Sequence, residues 1–301
     1  MFNNTKITLF RRPFFNSNVA ALNQSSFSQQ RLSFWRGLSK SAQQARNTTW
    51  RNYNNYYNRS NWDRLKRPFL FTFGFCAATT VATPLLFNYT PLSIYKKNPQ
   101  ALIWTIIGLN GAVFLSWRVP QLQKFTMKYG ILFKDNVQSP WTLLGSAFSH
   151  QSFAHFLVNM LCFQSFASTL VAVLGVSNFS ILYLNSAVIS SFACIAIPTI
   201  LGSSLSVASL GASGAIFGVF GAFSVLFPTA PVGIFFVPIP GGSLVLFLGT
   251  VLWNAAGTVM KWGTFDYAAH LGGSLVGIAY GLWFARKRKE EVRKRRFFID
   301  F

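Results

Sequence analysis

From Pro68 onward the chain is a series of long apolar runs separated by short polar breaks. The runs are Pro68–Tyr89, Ala101–Trp117, Ser152–Leu174, Phe179–Leu201, Leu210–Phe227, Gly242–Met260 and Phe265–Phe284. Each approaches the ~20 residues a helix needs to cross a ~30 Å hydrocarbon layer. The pattern predicts an all-α, polytopic membrane protein with seven crossings. Two connections break the simple picture. Arg118–Ser149 mixes Tyr129, Ile131, Leu132, Phe133 and Trp141 with Lys124, Lys128 and Lys134, which predicts a short amphipathic helix lying in the interface plane. Pro228–Gly241 is rich in Pro and Gly yet apolar, and is expected to stay against the membrane surface.

Composition sets the solvent for these elements. Apolar residues make up 51% of the 301 positions and charged residues 11%, and the charges lie almost entirely outside the runs. The formal net charge of +21 would suit nucleic acid, but the basic residues form two terminal blocks flanking membrane segments. Anionic lipid or a targeting role accounts for them at less cost, so the expected partners are membrane lipids and not nucleic acid. Residues 1–67 are rich in Arg, Ser and Asn, hold Asp63 as their single acid, and lack a secretory apolar core, which points to a mitochondrial transit segment and basic arm. A disordered cytosolic arm is the alternative. Cys76, Cys162 and Cys194 lie inside apolar runs without metal-ligand spacing. They are expected to pack, and neither a metal nor a cofactor is implied.

Candidate chemistry centres on S-L-G-A-S-G-A-I-F-G-V-F-G, Ser209–Gly221, which sets one hydroxyl, Ser213, among glycines at the start of a run. The third, fifth and seventh runs enter from the same membrane face, because one crossing separates each from the next. His155, Ser213 and His270 lie near the starts of these three runs, and therefore at similar depth. Polar groups at such depth are costly unless paired or wetted, which makes them functional candidates. His270 is placed to act as general base toward Ser213. Asp266, one turn earlier, fits the helix's positive end or the headgroups better than a catalytic role. His155 and Asn159, spaced i,i+4, can aim two donors at one point and, with the Ser213 N–H, form an oxyanion hole. Taken singly, each would suit an interhelical fastening. Gly211, Gly214, Gly218 and Gly221 in the fifth run, and Gly272, Gly273, Gly277 and Gly281 in the seventh, predict small faces that let these two helices approach closely.

G-A-S-G at Gly211–Gly214, A-H-L-G-G at Ala269–Gly273 and H-F-L-V-N at His155–Asn159 together resemble the rhomboid family of intramembrane serine proteases. The resemblance implies Ser213 as nucleophile, His270 as base, and His155 and Asn159 as oxyanion donors. It covers a six-helix core over residues 101–285, leaving 68–90 as an extra N-terminal transmembrane helix and 286–301 as a basic tail. The one-plus-six arrangement is similar to the mitochondrial, presenilin-associated rhomboid-like group. It implies a multi-pass protein of the mitochondrial inner membrane that cuts transmembrane protein substrates. For fungal members, these include a dynamin-like GTPase and a cytochrome c peroxidase precursor. By the same analogy the sixth run and the Pro228–Gly241 connection are candidate movable elements for substrate entry. Three details depart from the family pattern: Trp141-Thr142 stands where many members have Trp-Arg, Phe217 stands where bacterial relatives often place a Tyr against the base, and His150 is an additional histidine expected to be structural or interfacial. Two other classes would share some features. A transporter also places His, Asn and Ser inside a bundle, yet no acid lies deep in any run and no inverted repeat stands out. Inactive rhomboid-like binding factors typically lack the Ser or His retained here.

Overall fold

The computed structural model describes residues 61–234, 237–262 and 266–299. The expected transit segment falls outside them up to residue 60. The described chain is helical apart from one small hairpin. Its helices are α1 (Asn61–Tyr89), α2 (Ile94–Lys97), α3 (Pro99–Ser116), α4 (Pro120–Gly130), α5 (Thr142–Gly145), α6 (Phe153–Ile200) and α7 (Ser213–Leu226). The hairpin strands β1 (Val232–Ile234) and β2 (Val237–Ile239) follow, then α8 (Gly242–Val259) and α9 (Tyr267–Ile299). Five of the helices, α1, α3, α6, α8 and α9, are long and apolar enough to cross a membrane. The protein is an all-α, multi-span helical bundle.

α6 spans both the third and the fourth run. Gly175, with φ 75 and ψ 160, breaks it, a conformation open to glycine at little cost. The two limbs fold back on one another, because Phe163 and Tyr183 bring their ring centroids to 5.2 Å. In a straight helix residues that far apart in sequence would be about 30 Å apart. Phe163, Leu170, Phe179 and Tyr183 from the two limbs then share one buried cluster with Val219 of α7.

α7 is the central element, packed between α6 and α9. Its 14 residues are fewer than the run Leu210–Phe227 suggested. A helix of that length is only about 21 Å long. Buried by its neighbours, it has no need to match the full lipid thickness. Its start is set by Gly211, whose φ of 130 is not helical.

α1 begins seven residues before the apolar run, at Asn61, and Asp63 and Lys66 pair at 3.2 Å on that first turn. It docks on the second limb of α6, where Thr79 Oγ1 donates to Asn185 Oδ1 at 2.6 Å. Phe71 meets Trp141 edge-on at 5.1 Å, so the residue at the altered Trp-Thr site packs against this extra helix. The long connection does contain a short helix, α4, with Phe125 and Met127 exposed beside its lysines.

Two segments take up regular structure that their composition did not specify. Residues 228–241 contain the β1–β2 hairpin, paired antiparallel with Val232 opposite Ile239. They follow the far end of α7, about 20 Å along its axis from Ser213. After Phe284 α9 continues as helix to Ile299, because the basic segment lacks Pro and Gly and is built from good helix formers.

Candidate active site

Ser213 is the first residue of α7, and the loop before it is held from three sides. Ser209 exchanges backbone hydrogen bonds with Leu132, Gly211 N–H donates to Ser146 O at 2.9 Å, and Ala212 N–H donates to His150 Nε2 at 3.4 Å. Gly211 is required twice over. Its φ is left-handed, and a Cβ there would stand 2.8 Å from His155 Cε1. The close approach sets the His155 ring against the loop that presents Ser213.

His270 lies one turn into α9, and its Nε2 is 2.9 Å from Ser213 Oγ. Glycines make that approach possible. A methyl on Gly273 would collide with the carbonyl oxygen of Gly214, and one on Gly277 with that of Gly218. On the other side of α7, methyls on Gly214 and Gly218 would meet Ser190 and Ser186 of α6. The three helices thus approach nearly backbone to backbone, as small-residue faces in membranes allow. Phe217 stacks on the His270 ring at 4.4 Å and 26°, fixing its plane without offering a hydroxyl.

The partner of the other imidazole nitrogen was not found from the sequence. Asn254 of α8 places Oδ1 2.8 Å from His270 Nδ1, while its Nδ2 donates to Thr250 O at 2.7 Å. The Thr250 carbonyl fixes which end of the amide faces the ring. An amide oxygen can only accept, so Nδ1 carries the proton and Nε2 keeps its lone pair. The Ser213 hydroxyl therefore donates to His270. Sequence inspection passes over Asn254 because a single Asn in an apolar run reads equally well as a helix-fastening group; nothing local marks it as facing a base. Asp266 is not that third group. Its Oδ2 pairs with Lys134 Nζ at 2.9 Å, and its carbonyl accepts the His270 backbone N–H within the helix.

His155 and Asn159 share a face of the first α6 limb. Ser152 caps that limb by accepting from the His155 N–H at 3.2 Å, which starts the helix one turn above the site. Asn159 is buried, with Nδ2 donating to His155 O at 2.8 Å and its second amide proton uncommitted by that bond. The structure thus joins Ser213 to His270 directly. It sets His155 beside Gly211, and holds Asn159 one turn deeper. His150 is fully buried, its ring 5.0 Å from that of His155. Burial, and then the neighbouring His155, lower its pKa to about 4, only partly offset by the Phe148 carbonyl that favours the protonated ring, so it is neutral and free to accept from Ala212. All 3 histidines of the chain are gathered at this end of the bundle. Among the described residues no cluster of His, Cys, Asp or Glu could hold a metal ion.

The family model of the rhomboid domain matches residues 137–287, half of the chain. The chain belongs to the rhomboid family. Rhomboid protein 1, mitochondrial, of Saccharomyces cerevisiae is 43% identical over 215 residues, covering 71% of this chain and 62% of that protein. Presenilin-associated rhomboid-like protein A, mitochondrial, of Danio rerio is 39% identical over 207 residues, covering 67% and 52%. The Homo sapiens presenilin-associated rhomboid-like protein, mitochondrial, is 35% identical over 204 residues, covering 65% and 51%. The chain thus spans between about half and 62% of the length of these relatives. With its bundle of apolar helices, this rhomboid is a mitochondrial, multi-pass membrane protein.

Proposed function

We propose that this rhomboid is an intramembrane serine endopeptidase acting on single-span membrane proteins in or near their transmembrane segments. The observation that carries the reading is the 2.9 Å contact between Ser213 Oγ and a His270 Nε2 that Asn254 leaves free to accept a proton. Ser213 Oγ attacks the scissile carbonyl as His270 Nε2 takes its proton. Negative charge then develops on the carbonyl oxygen, toward which His155, Asn159 and the Ser213 N–H are the candidate donors. His270 returns the proton to the leaving amine, the C–N bond breaks, and an acyl ester remains on Ser213. Water, deprotonated by the same imidazole, hydrolyses that ester and restores the hydroxyl. Asn254 holds the imidazole in the tautomer that begins the cycle, the part a carboxylate plays in soluble triads.

The wider reading has seven crossings, counting the two limbs of α6 and the short α7. It divides the chain into a targeting arm at 1–67, an extra transmembrane helix at 68–90, a six-helix protease core at 101–285 and a basic tail at 286–301. The mitochondrial inner membrane is the proposed site. Precursors of a dynamin-like GTPase and of cytochrome c peroxidase are the proposed substrates, carried by the resemblance to fungal members. Lateral entry between the first limb of α6 and α8 suits the exposed apolar side chains on both, Leu157 and Leu161 on one and Leu248 and Leu252 on the other.

The deciding experiment presents a panel of single-span substrates in liposomes to purified wild type, Ser213→Ala and His270→Ala. Wild type should give two fragments cut in or near the span, and both variants should stay folded and give none. Equal cleavage by all three would remove Ser213 and His270 from the chemistry.

A further inference from the structure

Ser209 lies four residues before Ser213, and Asp266 four residues before His270. One short stretch of the long connection reaches both. Leu132 exchanges backbone hydrogen bonds with Ser209, N to O at 2.9 Å in each direction. Two residues on, Lys134 Nζ stands 2.9 Å from Asp266 Oδ2. Leu132 is fully buried with Leu143, Val188, Ile195 and Ala269, the residue preceding His270. The ion-paired side chains are only 10% and 19% exposed, so solvent ions screen the pair weakly.

The packing between α7 and α9 leaves something for this stretch to do. Gly273 and Gly277 lie on the carbonyls of Gly214 and Gly218, while Val225 sits on Gly281 farther along the helices and Phe217 stacks on the His270 ring. Such faces fix how closely two helices approach, and few side chains reach across them at the depth of Gly273 and Gly277 to hold their axial register. Sliding would separate Ser213 from His270. A backbone tie to the start of one helix and an ion pair to the start of the other add a restraint at the reacting end.

We propose that residues 131–134 are a clasp that sets the register of Ser213 against His270, with Lys134 and Asp266 as positioning residues. The proposal rests on the proteolytic reading of that site. Its test uses the full chain in liposomes with a labelled single-span substrate, comparing wild type with Asp266→Asn, Lys134→Met, Lys134→Arg and Ser213→Ala. Displacement on the ångström scale can cost about a hundredfold, so Asp266→Asn and Lys134→Met should each lower kcat by about tenfold to a hundredfold with KM changed by less than about twofold. Lys134→Arg, which keeps the charge, should restore most of kcat. Unchanged kcat in Asp266→Asn, beside an inactive Ser213→Ala, would overturn the clasp while leaving the protease reading intact. So would a rise in KM in step with a fall in thermal stability, which marks a pair that only fastens the loop. Should Lys134→Met fail to fold, Asp266→Asn, which keeps the side chain's shape, decides alone. Cleavage that persists in Ser213→Ala would overturn the proteolytic reading and the clasp with it.

Discussion

Asn254 and His270, on different helices, are joined by an Oδ1 to Nδ1 contact of 2.8 Å that determines which imidazole nitrogen faces Ser213. The consequence is chemical as well as geometric. Without Asn254 the ring could hold its proton on either nitrogen, and only one choice leaves Nε2 able to accept.

Asn254→Ala should therefore lower kcat by about tenfold to a hundredfold with little change in KM, as expected when a general base loses its orientation. Asn254→Asp should retain activity while placing a carboxylate against the ring. An opposite charge favours imidazolium, so the base titrates higher and the rise of kcat/KM with pH moves to higher pH. Steady-state pH profiles of both variants would check this.

The oxyanion assignment predicts a loss confined to the chemical step. His155→Ala and Asn159→Ala should each reduce kcat by about a hundredfold or more, the usual cost of one donor. A double variant no worse than either single would show that the two act as one unit; full additivity would show separate roles.

Close helix approach can be tested on the seventh run. Gly277→Val places bulk against the Gly218 carbonyl, where overpacking costs about 1–3 kcal/mol. The variant should unfold at lower temperature and lose cleavage, because α9 must move away from α7 and carry His270 with it. Gly249→Val on α8, where an added Cβ meets nothing within 4 Å, should do neither.

His150 links stability to pH. Its folded pKa of about 4 lies below the ordinary 6.5, so the unfolded chain takes the proton more readily. The contribution is fully present above pH 6.5 and is lost progressively as pH falls toward 4. Thermal unfolding followed across that window should show the decline, and His150→Gln, which cannot titrate, should make it shallower, the part that remains coming from the chain's other histidines.

Much of this arrangement is legible in the sequence because it is written locally. Apolar runs of membrane length mark the helices, and their parity brings Ser213, His155 and His270 to one depth. The glycines at 214, 218, 273 and 277 mark the faces that meet. The i,i+4 spacing of His155 and Asn159 puts them on one side of a helix. Each inference needs only helix periodicity and the cost of placing polar groups in lipid.

What tertiary structure alone decided involves partners far apart in the chain. Asn254 faces His270 across two helices, Lys134 reaches Asp266 from a distant loop, and Leu132 ties down Ser209. No local period signals such pairings, because a lone polar residue looks the same whether it fastens a helix or orients a base. The late start of α7 within its apolar run has a similar cause: Gly211, with φ 130, is held against His155 from a distant part of the chain. Sequence specified which groups could react and at what depth, whereas packing decided their tautomer, register and neighbours, since those depend on contacts made only after the helices assemble.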